Sequence, residues 1–428
     1  MDRLLVTGGA RLAGTVRVSG AKNSALKLMA ASLLAPGRSV VRNVPRIRDC
    51  SVMAELIRHF GVDVHLEDGV ATLDATTVDA VEAPHELVGQ IRASIVVLGP
   101  LLARTGRAKV ALPGGDEIGA RPVELHVRGL ERMGAAVRSE HGFLVAEAPV
   151  LHGASITLDY PSVTATENLL LAAVLARGTT VLDNAAREPE IADLAAFLRS
   201  MGADVEGAGT STIRIAGVDG LRPAEHRAVP DRIEAGTWAA AAVATMGDVT
   251  IENARPEHLE LYLTKLADTG AEIAFSDDGL RIRQPARARA VDFVTLPYPG
   301  IATDFQPILL AMLATAEGTS IVTENVFEGR FLYVGELRRM GADIRTEGHH
   351  AVIRGVPRLS AAPVRALDIR AGVAMVLAAL AADGVTRIDD VHHIDRGYED
   401  LERKLRDLGA EVRREADPVV VPDPAEAW

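Results

Sequence analysis

The chain has 428 residues, 48% of them hydrophobic and 24% charged, with a formal net charge of −12. Such a length predicts about two to four domains with sizeable cores. The acidic balance argues against a general nucleic-acid role, and an anionic substrate would need a local basic cleft. The one cysteine, Cys50, excludes an internal disulfide framework and a cysteine metal cluster, and reads as a small buried hydrophobe. The start, MDRLLVTGGARLAG, lacks a secretory apolar region, and runs such as 238–246 are too short to span a bilayer. The expectation is a cytoplasmic protein.

In chain order, Val16 and Val18 predict a strand and 25–34 an apolar helix. Val40 and Val41 predict a further strand, 51–60 an amphipathic helix, and 62–64 the start of the next strand. At 112–122 lies a loop with Gly114, Gly115 and Gly119, whose backbone can approach a ligand closely. It carries Asp116, Glu117 and Arg121. Pro122 then opens a helical pattern through Val123, Leu125, Val127, Leu130 and Met133. The loop thus delivers charged groups to a helix N-terminus, where anions are favoured.

The same unit recurs six times. Its mark is a glycine between a helical pattern and a strand, at Gly61, Gly134, Gly202, Gly270, Gly341 and Gly409, spaced by 73, 68, 68, 71 and 68 residues. The first helix of each unit is apolar almost all round, at 25–34, 93–102, 169–175, 235–246, 305–313 and 373–380, which predicts burial inside a domain. Sheets would lie outside them. At the first helix entrances stand Lys22 and Asn23, Arg92, Glu167 and Asn168, Asp231 and Arg232, Asp304, and Asp368 with Arg370. At the second stand Arg46 and Arg48, Arg121, Arg187, Arg255, Arg330 and Arg396. Acids at helix starts complement the dipole, but arginines do not. Six sets of arginines at equivalent ends predict a cleft that holds a polyanion.

With those residues in view, the chain resembles the UDP-N-acetylglucosamine 1-carboxyvinyltransferases of the enolpyruvyl transferase family. The likeness runs along the whole chain. It is carried by Ser19-Gly20-Ala21-Lys22-Asn23, Arg92-Ala93-Ser94, Leu112-Pro113-Gly114-Gly115, Ile118-Gly119-Ala120-Arg121-Pro122-Val123 and Asn184-Ala185-Ala186-Arg187-Glu188-Pro189-Glu190. Further along come Asp231-Arg232-Ile233-Glu234, Thr303-Asp304, Thr323-Glu324-Asn325-Val326-Phe327-Glu328, Asp368-Ile369-Arg370-Ala371 and His393-Ile394-Asp395-Arg396-Gly397-Tyr398.

The resemblance implies an α/β fold, a two-domain inside-out α/β barrel with three units per domain. Residues 21–230 would form one domain, and 1–20 with 231–428 the other, around an active-site cleft. It implies transfer of the enolpyruvyl group of phosphoenolpyruvate to the 3-hydroxyl of UDP-N-acetylglucosamine, with release of phosphate, and no metal or organic cofactor. Lys22, Arg121 and Arg396 would hold phosphoenolpyruvate, with Arg92 and Arg370 nearby, because guanidinium forks match phosphate and carboxylate. Asp304 falls at the general-base position on the sugar hydroxyl. Asn23, Val326 and Glu328 would meet sugar or cleft groups. The uridine diphosphate would lie along Arg121, Pro122, Val123 and Glu124, and along Ser162, Val163 and Thr164. Asp116 stands where the family loop carries cysteine, Thr164 where glycine is usual, Ala302 where proline is, and Tyr160 where some members have lysine. A sister transferase with another nucleotide or nucleoside acceptor, and a non-catalytic paralogue that binds UDP-sugar, are the other readings.

Overall fold

The computed structural model describes residues 2–112, 118–119 and 123–416. Within them the fold is mixed α/β, with six four-stranded sheets and one two-stranded sheet. Each four-stranded sheet joins one parallel strand pair to two antiparallel pairings. In one, Glu225–Arg227 runs parallel to Arg38–Arg42, which is antiparallel to Val70–Asp74, itself antiparallel to Asp63–Glu67. The first two strands of the chain join late partners. Arg3–Thr7 lies between Val385–Asp389 and Glu411–Glu415, and Ala13–Arg17 runs parallel to Asp248–Glu252.

The repeat glycines occupy one conformation. Gly61, Gly134, Gly202, Gly270, Gly341 and Gly409 have φ of 89°, 91°, 104°, 99°, 89° and 91°. Each follows a helix, such as Arg48–His59 or Pro189–Ser200, and turns the chain into a strand. A side chain disfavours that left-handed backbone, so glycine ends all six helices.

The apolar helices are mostly buried: Lys22–Ala31, Leu98–Thr105, Val163–Ala173, Arg232–Ala244, Gln306–Leu313 and Ile369–Leu380. Several start earlier than their apolar pattern. The first turn of each carries polar residues that periodicity reads as loop, and two of the entrances are 3-10 turns, Arg92–Val97 and Thr303–Phe305. The helix predicted to open at Pro122 begins at Glu124 among the described residues.

The buried hydrophobics separate into two clusters. One runs from Ala25 to Ala228, with Leu98–Thr105 packed on Val163–Ala173. The other gathers Leu4 to Val18 with Ile233 to Val412, and Gln306–Leu313 packs on Ile369–Leu380. Leucine, alanine and methionine fill both, at about 1.5–3 kcal/mol for each large side chain taken out of water. Cys50 is buried in the first cluster. Among the described residues no helix is long and apolar enough to cross a membrane.

Candidate active site

A cavity of about 490 Å³ opens where the helix entrances of the two clusters face each other. Lys22, Asn23, Arg92, Ser162, Val163, Thr164, Asp304, Val326, Arg370 and Arg396 all line it. Tyr160 and Ala302, two of the departures from the family pattern, line it too. Val123 and Glu124 do not. Val123 is half-buried and packs against the first core, and Glu124 opens the helix Glu124–Arg132 facing solvent. Leu125 takes that stretch's place in the wall. Asp116, Arg121 and Pro122 lie outside the described residues.

The two crossings between the cores set the first entrance. Ala21 N–H donates to Val229 O at 2.7 Å, and Asp231 N–H to Ser19 O at 2.9 Å. Asp231 then caps two helices with one carboxylate. Its Oδ1 accepts from Ile233 N at 2.8 Å and Glu234 N at 3.0 Å, and its Oδ2 from Lys22 N at 3.0 Å. Helix N-termini leave such N–H groups without partners, and an aspartate satisfies them well. Lys22 is thereby fixed at the cleft edge.

Lys22 Nζ reaches Asp49 Oδ2 at 2.7 Å, and Arg396 Nε donates to Asp49 Oδ1 at 3.0 Å. Asp49 is 2% exposed and Lys22 8% exposed. Asp49 itself carries no sequence signal beyond an acid in a helix's first turn.

The second charged group centres on Asp304. Its Oδ2 accepts from Arg370 Nε at 3.0 Å, and its Oδ1 faces Arg330 Nη2 at 3.4 Å. Burial opposes ionisation of the Asp304 carboxyl, but Arg370 and then Arg330 outweigh it and hold its pKa well below the usual carboxylate range. Burial likewise opposes the Arg370 charge, and Tyr398 and Asp304 beside it overcompensate and raise its pKa. Among the described residues Arg330 Nε and Arg370 Nη1 are buried without a hydrogen-bond partner. Buried donors of that kind suit an incoming anion. Arg370 sits in the first turn of Ile369–Leu380, whose N-cap Asp368 accepts from Arg370 N at 2.7 Å and Ala371 N at 2.9 Å.

Glu324 shapes the wall beside Asp304. Its carboxylate accepts from Thr303 Oγ1 at 2.9 Å, Val326 N at 2.8 Å and Phe327 N at 3.1 Å. Next to that wall, Gly119 has φ of 130°, and a Cβ there would lie 2.7 Å from Glu328 Oε2. Any other residue would push Glu328 away from this turn.

Around and beneath the cleft lie further buried charges, of which Arg232 and Glu167 stand at first entrances and Glu190 in a family motif. Arg232 Nε donates to Glu190 Oε1 at 3.1 Å, joining the two cores. Lys27 Nζ lies 3.4 Å from Glu167 Oε2, and among the described residues both glutamate oxygens lack a hydrogen bond. Burial pushes the Glu167 carboxyl up to about 7, against the pull of Lys27.

The described second-helix arginines do not converge as the repeat predicts. Arg330 and Arg396 line the cavity. Arg46 pairs at the surface with Glu399 at 2.6 Å and Asp400 at 2.7 Å. Arg48 and Arg187 are exposed, and Arg255 stands 4.0 Å from Glu257. Arg232 and Arg370, from the first entrances, contribute instead. A shared end of a unit sets direction, but the radial position of each unit decides which side chains meet. Among the described residues no group of three His, Cys, Asp or Glu side chains is placed to hold a metal ion.

The chain as a whole is similar to known proteins. A family model described as EPSP synthase (3-phosphoshikimate 1-carboxyvinyltransferase) matches residues 6–405. The chain is 54% identical over 415 residues to a UDP-N-acetylglucosamine 1-carboxyvinyltransferase of Corynebacterium jeikeium, covering 96% of this chain and 99% of that protein. It is 53% identical over 413 residues to one of Mycobacterium tuberculosis, again covering 96% and 99%. Among solved structures, the enolpyruvyl transferase NikO from Streptomyces tendae aligns with a TM-score of 0.88 at 30% identity, over 97% of this chain and 99% of that one. An EPSP synthase from Acinetobacter baumannii aligns with a TM-score of 0.77 at 18% identity, over 97% and 100%, a likeness of fold.

Proposed function

Because this chain belongs to the EPSP synthase (3-phosphoshikimate 1-carboxyvinyltransferase) family, we propose that it is an enolpyruvyl transferase acting on UDP-N-acetylglucosamine. It moves the enolpyruvyl group of phosphoenolpyruvate to the sugar 3-hydroxyl and releases phosphate, the first committed step of peptidoglycan synthesis. The observation that carries this reading is the meeting, in one cleft, of Lys22, Arg92, Arg370 and Arg396 with Asp304. A sensor of UDP-sugar has no need of a carboxylate held between two arginines beside a lysine.

The chemistry assigns work to each group. Addition needs a proton on the methylene carbon of phosphoenolpyruvate and removal of one from the sugar hydroxyl. A proton then leaves the new methyl carbon, the double bond reforms, and the C–O bond to phosphate breaks, releasing phosphate. Lys22 and Arg396 suit the phosphate and carboxylate of phosphoenolpyruvate, with Arg92, Arg121 and Arg370 completing the clamp. Asp304 takes the hydroxyl proton. Its pairing with Arg370 and Arg330 lowers its basicity, so the anionic substrate must first draw Arg370 away. Asp116, on the glycine-rich loop, supplies the acid or assists product release. Asn23 and Val326 meet the sugar. The nucleotide lies along Ser162, Val163 and Thr164, with Leu125 in the same wall.

The two hydrophobic clusters support domains of 21–230 and of 1–20 with 231–428, closing over the cleft. Buried helices with sheets around them support an inside-out α/β barrel in each. A nucleotide-sugar and phosphoenolpyruvate as substrates fit a cytoplasmic enzyme. One observation favours a second reading: Thr164 and Ala302 both line the cavity, and both depart from the family pattern, which suits a sister transferase with a different nucleotide or nucleoside acceptor. Phosphate release from phosphoenolpyruvate, measured against a panel of acceptors, decides. UDP-N-acetylglucosamine should be the strongest stimulant. Release with another acceptor alone would establish the sister activity, and release with none would leave a binding protein.

A further inference from the structure

Thr164 stands in the first turn of Val163–Ala173 and borders the cleft. Its hydroxyl oxygen lies 3.4 Å from His126 Nε2. Which of the two supplies the proton is decided deeper in the core. The side-chain oxygen of Asn168 accepts from Gly99 N–H at 2.6 Å, and its nitrogen donates to Ile95 O at 3.2 Å. Turning the amide over would set oxygen against carbonyl and nitrogen against N–H. Two backbone groups therefore fix its orientation. The same nitrogen faces His126 Nδ1 at 2.9 Å. An amide nitrogen only donates, so Nδ1 accepts and carries no proton.

The proton of the neutral ring then sits on Nε2 and points at Thr164. His126 is 2% exposed, and burial, with Arg92 nearby, pushes its pKa down to about 3. With Nδ1 accepting and one proton on Nε2, the ring is neutral. A hydroxyl that accepts from His126 directs its own proton elsewhere. Among the described residues Thr164 Oγ1 has no other partner, and the residue is part-exposed at the cavity wall. The proton is left for a ligand in the cleft. The helix start adds its own attraction for negative charge at the same place.

We propose that Thr164 donates a hydrogen bond to an anionic oxygen of the acceptor's diphosphate, and that His126, held by Asn168, is the positioning residue that aims it. This rests on the reading of the acceptor as a UDP-sugar. Glycine, usual at this position by resemblance, has no hydroxyl, so the contact is a feature of this chain's own pocket.

The test compares binding of UDP and of uridine by calorimetry in the wild-type protein, Thr164→Val and Thr164→Ser. A hydrogen bond to a charged group is worth about 1.5–3 kcal/mol, so Thr164→Val should lose roughly tenfold or more in UDP affinity. Uridine affinity should hold, and Thr164→Ser should recover UDP binding. In turnover the change should fall on KM for the nucleotide sugar rather than on kcat or on KM for phosphoenolpyruvate. Nitrogen NMR of the wild-type imidazoles should show one ring with its proton on Nε2 throughout about pH 5 to 8. Equal UDP affinity in wild type and Thr164→Val overturns the inference, as does a His126 proton on Nδ1. A wild-type protein that binds no UDP overturns the acceptor reading, and this inference with it.

Discussion

Arg396 donates from Nε to Asp49 Oδ1 at 3.0 Å, across 347 positions of sequence. Asp49 belongs to a helix of the first core, and Arg396 follows a short helix of the second. The other oxygen of Asp49 holds Lys22 at 2.7 Å. One buried carboxylate thus spaces two cations and links the halves of the cleft. Asp49→Asn keeps the shape and removes the charge. Losing one partner of a buried pair costs about 3–5 kcal/mol. The variant should melt several degrees lower, and kcat/KM for phosphoenolpyruvate should fall by at least about tenfold. Ordinary kinetics with phosphoenolpyruvate at a lowered melting temperature would reduce Asp49 to a packing role.

Lys22 offers a compact charge with three donors, near-buried at the cleft wall. Lys22→Ala should abolish phosphoenolpyruvate binding while UDP-sugar binding survives. Both can be read by calorimetry, and an unaltered affinity for phosphoenolpyruvate would remove Lys22 from the clamp.

Asp304 makes a prediction about pH as well as rate. Asp304→Asn should bind UDP-sugar and lose about 10²–10⁴-fold in turnover, the usual effect of removing a general base. The pKa of Asp304 is held below its ordinary value of about 3.9, so the stability it contributes is full above that value and fades only as pH falls below it. The free enzyme's kcat/KM should therefore show no acid limb from Asp304 near pH 4 or above. A limb there that vanishes in Asp304→Asn would mean that the arginine pairing is broken in solution.

The repeat was legible in the sequence because each unit ends on a glycine that only a left-handed turn requires. Lys22, Asn23, Arg92, Asp304 and Arg370 were legible because they mark helix entrances and sit in family motifs. Asp49 was not: its partners come from two other segments, and no local pattern announces a side chain that bridges two cores. Arg232 and Glu190 were named within motifs, yet their pairing appears only once the crossing strands bring 190 and 232 together. The equivalence of the second-helix arginines misled, since Arg48 stands 13 residues before its repeat glycine, as Arg396 does, but is exposed. His126 falls among the apolar positions of its helix and reads as core.

Glu167 gives a stability signature. Its carboxyl is pushed by burial up to about 7, above an unfolded value of about 4.3. Between those values the folded state holds a proton that the unfolded chain releases. Stability then falls as pH rises through that window, and is level above it. Glu167→Gln removes the titration, so its denaturation midpoint should change less between about pH 4.3 and about pH 7 than that of the parent. Identical pH profiles for the two proteins would show that Lys27 keeps Glu167 ionised throughout.

Asp116 lies on the glycine-rich loop, outside the described residues, and its chemistry follows from the resemblance. Cysteine and aspartate can both deliver a proton, from ordinary values of about 8.5 and 3.9. An aspartate acid near neutral pH needs that value raised, which desolvation does. The two residues differ as nucleophiles. The epoxide phosphonate fosfomycin inactivates the cysteine-bearing members by alkylating their thiolate, and a carboxylate is a far poorer nucleophile. This protein should therefore turn over in the presence of fosfomycin. Asp116→Cys should stay active, become sensitive and gain one covalent adduct by mass. Asp116→Asn should lose most activity, because an amide has no proton to give. Stoichiometric alkylation of the parent at Asp116, as fast as that of the cysteine variant, would overturn this assignment of the loop.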